Sequence, residues 1–328
     1  MNRQTVFRRL LTIPVTIVMF ALVTVTLPAL ILVGGLVDLV RGLVTGKPAM
    51  ATRLISFLWV YLMGEMWALV GMLVTWPLSR ERRRDVTFRL QEHWTSWNFN
   101  AMRTIFGLRI EVTGSEQIPP APILVLARHA SMVDTMLPAR LVTRSHGIRL
   151  RYVLKKELLL DPVLDIGGTR LPNHFVDRRI ALADPELAAI RALAGGMEPD
   201  EGMLIYPEGT RFSEQKRDRY VARIVRGGGR LAEIAGSFAS VLPPKPGGTL
   251  ALLEATIADV VVLAHRGLEG FARVKDIWSG GLVGSTIDVH FWRVPRSSIP
   301  EGRTARVEWL FEIWADVDAW VATKRFAQ

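Results

Sequence analysis

The stretch "APILVLARHASMVDTMLPARLV" (residues 121–142) contains three kinds of chain in succession. Its apolar start reads as a buried strand and "RHAS" as a turn. The residues from Ser131 onward read as a helix, whose Ser131-x-x-Asp134 spacing resembles a capping box. A strand that passes at once into a helix is the repeating step of an α/β domain. The same stretch sets His129 and Asp134 five positions apart. On a continuous helix they would point about 140° away from each other, since five steps of about 100° overshoot one turn by that much. They share a pocket only if His129 sits on the turn. An imidazole bonded to a carboxylate there has a fixed tautomer and greater basicity, the arrangement of a general base that removes a hydroxyl proton. The structural alternative is that Asp134 only caps the helix and His129 only packs. Ser131 lacks the G-x-S-x-G elbow of a serine nucleophile.

Working outward, further strand-like runs are "LRIEV" (108–112), "LRYVL" (150–154), "GMLIY" (202–206), "FASVL" (238–242), "ADVVVLAH" (258–265) and "STIDVHFWRV" (285–294). Helix-like stretches lie at 131–145, 184–194, 214–235 and 304–325. This alternation predicts an α/β fold for residues 79–328, with a mixed, partly parallel sheet covered by helices. "GGG" at 227–229 follows no strand and is not a phosphate loop. "GMLIYPEGTRFS" (202–213) is different. It is a strand that ends in proline and presents Glu208, Gly209, Thr210 and Arg211 where open α/β sheets usually bind ligands. Gly209 lets the backbone turn closely, and Arg211 offers a planar fork for an anion.

Residues 1–78 read as a hydrophobic helical hairpin. From Leu10 to Val37 there is no charged residue, and at about 1.5 Å per residue the run exceeds the roughly 30 Å core of a bilayer. It is also too long for the apolar core of a cleaved signal peptide. A second segment, residues 54–76, is interrupted by Glu65. It is read either as a span or as a surface helix packed on the catalytic domain. Arg3, Arg8, Arg9, Arg80, Arg82, Arg83 and Arg84 lie on the outer flanks, against Arg41, Lys47 and Arg53 in the connection. If both segments span, this bias puts the catalytic domain on the cytoplasmic side of the membrane.

The whole chain of 328 residues is 49% hydrophobic and carries a net charge of +10, so it is greasy and basic at once. With no cysteine, disulfides, thiolate metal sites and cysteine nucleophiles are excluded. His93, His146, His174, His265 and His290 have no metal-ligand spacing and are read as structural or surface residues. No metal is expected. The cations cluster beside apolar segments without a recognition-helix or RNA-binding motif, so no nucleic acid partner is expected either.

Together "RHASMVD", "HFVDR", "YPEGTRFS" and "VLPPKPGG" resemble, in order and approximate spacing, the four blocks of the glycerolipid acyltransferases, the lysophosphatidate and lysophospholipid acyltransferases. His129 and Asp134 match the H-x4-D pair, Arg178 the second-block arginine, Glu208, Gly209 and Thr210 the E-G-T, and Pro244 the fourth-block proline. "SEQK" (213–216) and "VEWLFEIWADVDAW" (307–320) are similar to the lysocardiolipin acyltransferase-like subgroup. The resemblance implies O-acyl transfer from acyl-CoA or acyl-carrier protein to the free hydroxyl of a membrane lysophospholipid, with His129 as base and no cofactor. The acceptor implied first is 1-acyl-sn-glycerol 3-phosphate. Alternatives are another lysophospholipid, an acylated sugar or an aminolipid, or a catalytically silent membrane scaffold. Arg178, Glu208, Gly209, Thr210, Arg211, Pro244 and Lys245 are the residues implied to bind substrate. Two positions depart from the pattern: Arg128 stands where Asn is usual, and Lys245 where arginine often follows the proline.

Overall fold

The computed structural model describes residues 3–176, 184–269, 271 and 274–323. In chain order the strands are β1 (Arg109–Thr113), β2 (Ile123–Ala127), β3 (Arg149–Lys155), β4 (His174–Val176), β5 (Glu201–Ile205), β6 (Asp259–Arg266) and β7 (Thr286–Val294). The α-helices are α1 (Arg3–Thr45), α2 (Ala51–Val74), α3 (Arg80–Phe106), α4 (Pro162–Arg170), α5 (Asp184–Gly195), α6 (Glu214–Val225), α7 (Arg230–Gly236), α8 (Pro246–Ala255), α9 (Val274–Ile277) and α10 (Arg303–Ala322). They fall into two compact units.

The first unit comprises Met1–Arg109, Leu154–Asp177 and Ile277–Ser285. It takes in α3 and α4 and so extends beyond residues 1–78. Helices α1 and α2 are both long and apolar enough to cross a membrane. At 43 residues, α1 is about 64 Å long, roughly twice a bilayer core. Arg8, Arg9, Asp38 and Arg41 of α1 are matched inside the unit. Arg8 and Arg9 both donate to the buried Asp165 carboxylate, at 2.8 and 3.0 Å for the closest pairs. Asp38 caps α2 from a distance, accepting the N–H groups of Met50, Ala51 and Thr52 at 2.7, 2.8 and 2.9 Å. A helix start in apolar surroundings needs such an acceptor for its orphan donors.

The second unit comprises Ile110–Val153, Arg178–Asp276 and Thr286–Gln328. Its strands run in the order β1-β7-β6-β2-β5-β3. β2 pairs in parallel with β5 on one side and β6 on the other, β3 continues in parallel beside β5, and β7 is antiparallel to β6. The sheet is therefore mixed and mostly parallel, as the alternation of elements predicts. A strand flanked on both sides and covered on both faces is a continuous apolar run, and all five residues of β2 are buried. One face is covered by α5, α8 and α10, whose Ile190, Leu250, Leu252, Leu310 and Trp314 pack on Leu124, Leu126, Met203, Val260 and Val262. Trp314 is fully buried, so truncating it to alanine costs about 3–5 kcal/mol.

Two expectations from sequence differ from the structure. The 214–235 helix is two helices, α6 and α7, broken at Gly227–Gly229, where Gly228 and Gly229 have φ of 65° and 76°. "FASVL" (238–242) is no strand. The backbone N–H groups of Ala239, Ser240 and Val241 all donate to the Asp318 carboxylate of α10, at 3.1, 2.6 and 2.9 Å, and that of Leu242 donates to Glu208 at 3.2 Å. With its donors taken by two carboxylates and two prolines following, the segment has nothing to offer a neighbouring strand.

Candidate active site

The site lies at the carboxyl ends of β2, β5 and β6, which are adjacent in the sheet. After β2, the backbone N–H of Arg128 makes one more bond to Leu263 O at 3.0 Å, and the chain then leaves the sheet with His129 on the turn. The helical stretch beyond is irregular, a 3₁₀ turn over Val133–Met136 followed by a π turn over Ala139–Arg144. His129 Nδ1 meets Asp134 Oδ1 at 3.0 Å. Asp134 Oδ2 accepts the N–H groups of Ala130 and Ser131 at 2.6 and 2.7 Å. This is half of the capping box. Ser131 Oγ instead accepts from Val133 N–H at 3.2 Å and donates to Phe271 O at 2.9 Å, so it is not poised as a nucleophile.

Asp134 is buried, yet its carboxyl is held well below the usual carboxylate range. Burial alone would push it up, and the charge and hydrogen bond of His129, with a further contribution from His265, outweigh that. An ionised Asp134 only accepts, so the proton on His129 is on Nδ1. The lone pair of Nε2 faces away from Asp134 and has no hydrogen-bond partner among the described residues. The ring leans on Tyr206, with centroids 4.6 Å apart. Burial, and then the nearby negative charge of Asp134, raise the Tyr206 phenol well above its usual value.

The second corner is joined to the first by its own backbone. Phe212 N–H donates to His129 O at 2.8 Å, and His129 N–H donates to Glu208 Oε1 at 3.0 Å. Glu208 also takes the Leu242 N–H, so its fully buried carboxylate braces three loops and does not line the surface. That differs from the substrate-binding role the family resemblance implied for it. Burial pushes its carboxyl up to about 8, against the opposing charge of Arg128 and the two N–H bonds. Gly209 has φ of 65°, so the turn favours glycine, and a Cβ there would press on the flexible Lys245 side chain at 3.1 Å. Thr210 and Arg211 are half-buried. Lys216 Nζ, from the first turn of α6, donates to Thr210 Oγ1 at 3.0 Å and Arg211 O at 2.9 Å. Pro244 is buried, while Lys245 is exposed, with its N–H on Pro207 O at 2.8 Å and its ammonium 5.7 Å from the Tyr220 ring centroid. Three of the four blocks thus converge. Arg178 lies outside the described residues.

Arg128, where the family pattern has Asn, is turned inward onto the protein's own acceptors. It is fully buried, with Nη1 donating to His265 O at 2.6 Å and to Glu269, and Nη2 donating to Ser240 O at 2.8 Å. The Arg128 guanidinium holds the Glu269 carboxyl below its usual range, although burial alone would raise it. Sequence reading missed the partners of Arg128, the parts played by Glu269 and Lys216, and the placement of His265 beside Asp134. The available signal was a histidine near the carboxyl end of an otherwise apolar strand. Among the described residues no group of three or more His, Asp or Glu could hold a metal ion.

Residues 109–263 match the family model Acyltransferase. A 1-acyl-sn-glycerol-3-phosphate acyltransferase of Pseudomonas aeruginosa is 30% identical over 148 residues, 44% of this chain and 52% of that protein. One of Saccharomyces cerevisiae is 25% identical over 130 residues, 37% of this chain and 40% of that protein. The chain thus spans about half, or less, of the length of these curated relatives. The crystal structure of the 1-acyl-sn-glycerophosphate acyltransferase PlsC from Thermotoga maritima superposes with a TM-score of 0.53 over 83% of this chain and 98% of that one. At 16% identity this likeness speaks to the fold alone. The matched stretch spans the converging blocks, and this part of the chain is similar to the acyltransferase family and to these 1-acyl-sn-glycerol-3-phosphate acyltransferases.

Proposed function

We propose that the protein transfers an acyl chain from acyl-CoA or acyl-carrier protein to the free hydroxyl of 1-acyl-sn-glycerol 3-phosphate, giving phosphatidate. The observation that carries this reading is the His129–Asp134 pair, with Nδ1 tied at 3.0 Å and Nε2 open. Nε2 takes the acceptor's hydroxyl proton as the oxygen attacks the thioester carbonyl. The C–S bond then breaks, and the imidazolium returns the proton to the departing thiolate, so no acyl-enzyme forms. The cationic rim of Arg211, Lys216 and Lys245, with Arg178 by resemblance, suits the acceptor's phosphate. Charge-assisted bonds of this kind contribute about 1.5–3 kcal/mol each.

The relatives' names support this acceptor. The two apolar helices support delivery to a lipid substrate, and the arginine bias of their flanks supports a cytoplasmic catalytic domain. The test supplies membranes containing the protein with labelled acyl-CoA or acyl-carrier protein and a panel of lysolipids, and identifies the product. Phosphatidate as the preferred product is expected. Preference for another lysolipid would replace the acceptor, and no thiol release with any acceptor would leave a scaffold. Sidedness is checked by single introduced cysteines, which the cysteine-free chain makes direct. A site in the loop after β5 should react with an impermeant maleimide only when the cytoplasmic face is open.

A further inference from the structure

His265 lies 136 residues beyond His129 in the chain, and its side chain is fully buried on β6. Its Nε2 is 3.1 Å from the carbonyl oxygen of Arg128 and 3.3 Å from Asp134 Oδ2. A carbonyl can only accept, so Nε2 carries the hydrogen and shares it between the two oxygens. One of these belongs to the peptide on which His129 is mounted, and the other to the carboxylate that orients its ring. A single N–H therefore fixes both.

We infer that His265 is a positioning residue of the acyl-transfer site, holding Asp134 and the Arg128–His129 peptide in register so that His129 Nε2 stays aimed at the acceptor. This rests on the reading of His129 as the base. Asp134 bonds His129 through Oδ1, while Oδ2 is held by two backbone N–H groups and by His265. A carboxylate held through both oxygens cannot swing about its Cβ–Cγ bond, and the plane of the imidazole follows from it.

The mount is rigid. β6 pairs with β2 up to Leu263 and with β7 through Arg266, and His265 itself stands opposite Val289. Arg128 closes the loop in the other direction by donating to His265 O, while Glu269 pins the guanidinium. His265 Nδ1 is buried with no hydrogen-bond partner among the described residues. An orphaned ring nitrogen is a cost that a leucine filling the same space would not carry, so the bonds of Nε2 account for having a histidine here.

The test is steady-state kinetics against pH on the full chain in membranes, with acyl-CoA and lysophosphatidate. His265→Leu should lower kcat by about 10- to 100-fold, less than the 10²–10⁴-fold for removing a base. KM for both substrates should stay within about twofold. With one donor gone, Asp134 becomes more basic and grips the imidazolium more tightly, so the acidic limb of kcat/KM should move to higher pH. The charged and titratable groups facing this point, Arg128, Asp134, Tyr206, Glu208 and Glu269, are unchanged in the variant. His265→Gln, whose amide N–H reaches the Nε2 position, should restore kcat to within about threefold and return the limb. His265→Asn, which is shorter, should not. A His265→Leu enzyme with wild-type kcat and profile overturns the inference. So do equal losses in all three variants with the limb unmoved, which mark a role in the fold alone. If the leucine variant does not fold, the Gln and Asn pair decides by the same criteria. His129→Ala is measured alongside. If it is inactive while His265→Leu is normal, only the positioning role fails, whereas an active His129→Ala removes the base and the positioning role together.

Discussion

Helix α1 and strand β2 are both apolar runs, and they bury opposite things. β2 turns Ile123, Leu124, Val125, Leu126 and Ala127 inward. α1 turns Thr12, Thr16, Val23, Gly34 and Asp38 inward and leaves Leu10, Leu22, Val25, Leu32, Leu36 and Leu43 outside. In β2 the arrangement keeps hydrocarbon from water. In α1 the Thr16 hydroxyl turns back on Thr12 O at 2.9 Å, and Asp38 finds the α2 amides. Such an inversion is stable where the surroundings are themselves apolar, which is the condition inside a lipid bilayer. One rule, that polar groups need partners and apolar groups avoid water, gives these opposite patterns when β2 lies in a protein core and α1 in lipid.

The comparison can be broken most severely at the base. His129→Ala should lower kcat by about 10²–10⁴-fold while membrane binding and thermal melting stay at wild-type values. Asp134→Asn should lose most activity with it, through the wrong tautomer. Loss of membrane binding in His129→Ala would mean that the two regions are not separable. Next is the outward face of α1. Leu22, 62% exposed, should cost about 2.5–3.5 kcal/mol when replaced by arginine if the surroundings are lipid, read as a fall in the membrane-inserted fraction. An unchanged fraction would return α1 to water.

Asp318→Ala should cost about 1–3 kcal/mol in denaturant stability, because three backbone N–H groups, those of Ser240 and Val241 buried, lose their acceptor together. An unchanged midpoint would mean water replaces it. The smallest effect concerns pH. Glu208 is raised to about 8 in the fold, so its stabilising contribution is present below the usual 4.5 and is lost as pH rises through about 8. Glu208→Gln cannot ionise, and its melting temperature should fall less than wild type's between about pH 5 and pH 9. Parallel curves would show that Glu208 is ionised throughout. Asp134 has the opposite sign, its contribution being lost on acidification.

The sequence made legible what depends on neighbours in the chain. Strand β2 showed as an apolar run, and the turn at His129 followed from helix geometry and the Ser131-x-x-Asp134 spacing. The pairing with Asp134 could be argued because five residues separate them. His265, Glu269 and Asp318 were not legible as parts of the site, since their partners lie more than 70 residues away in sequence. In the sequence Arg128 stood out as a departure from the family pattern. Only the fold reveals that three acceptors already surround it. "FASVL" has the composition of a strand, and what denies it that role is a carboxylate on a distant helix.

The Asp318 clip also bears on synthesis. Chain emerges from the ribosome from the N-terminus, so the hairpin helices, β2 with His129 and the loop after β5 with Glu208 all exist before Asp318 has been made. Until then, the amides of residues 239–241 have no carboxylate to hold them, and Leu242 is not anchored beside its bond to Glu208. The membrane segments are thus available to the insertion machinery early, while completion of the catalytic pocket waits for the last helix. On the proposed function, a nascent chain would meet the lipid before it could act on it.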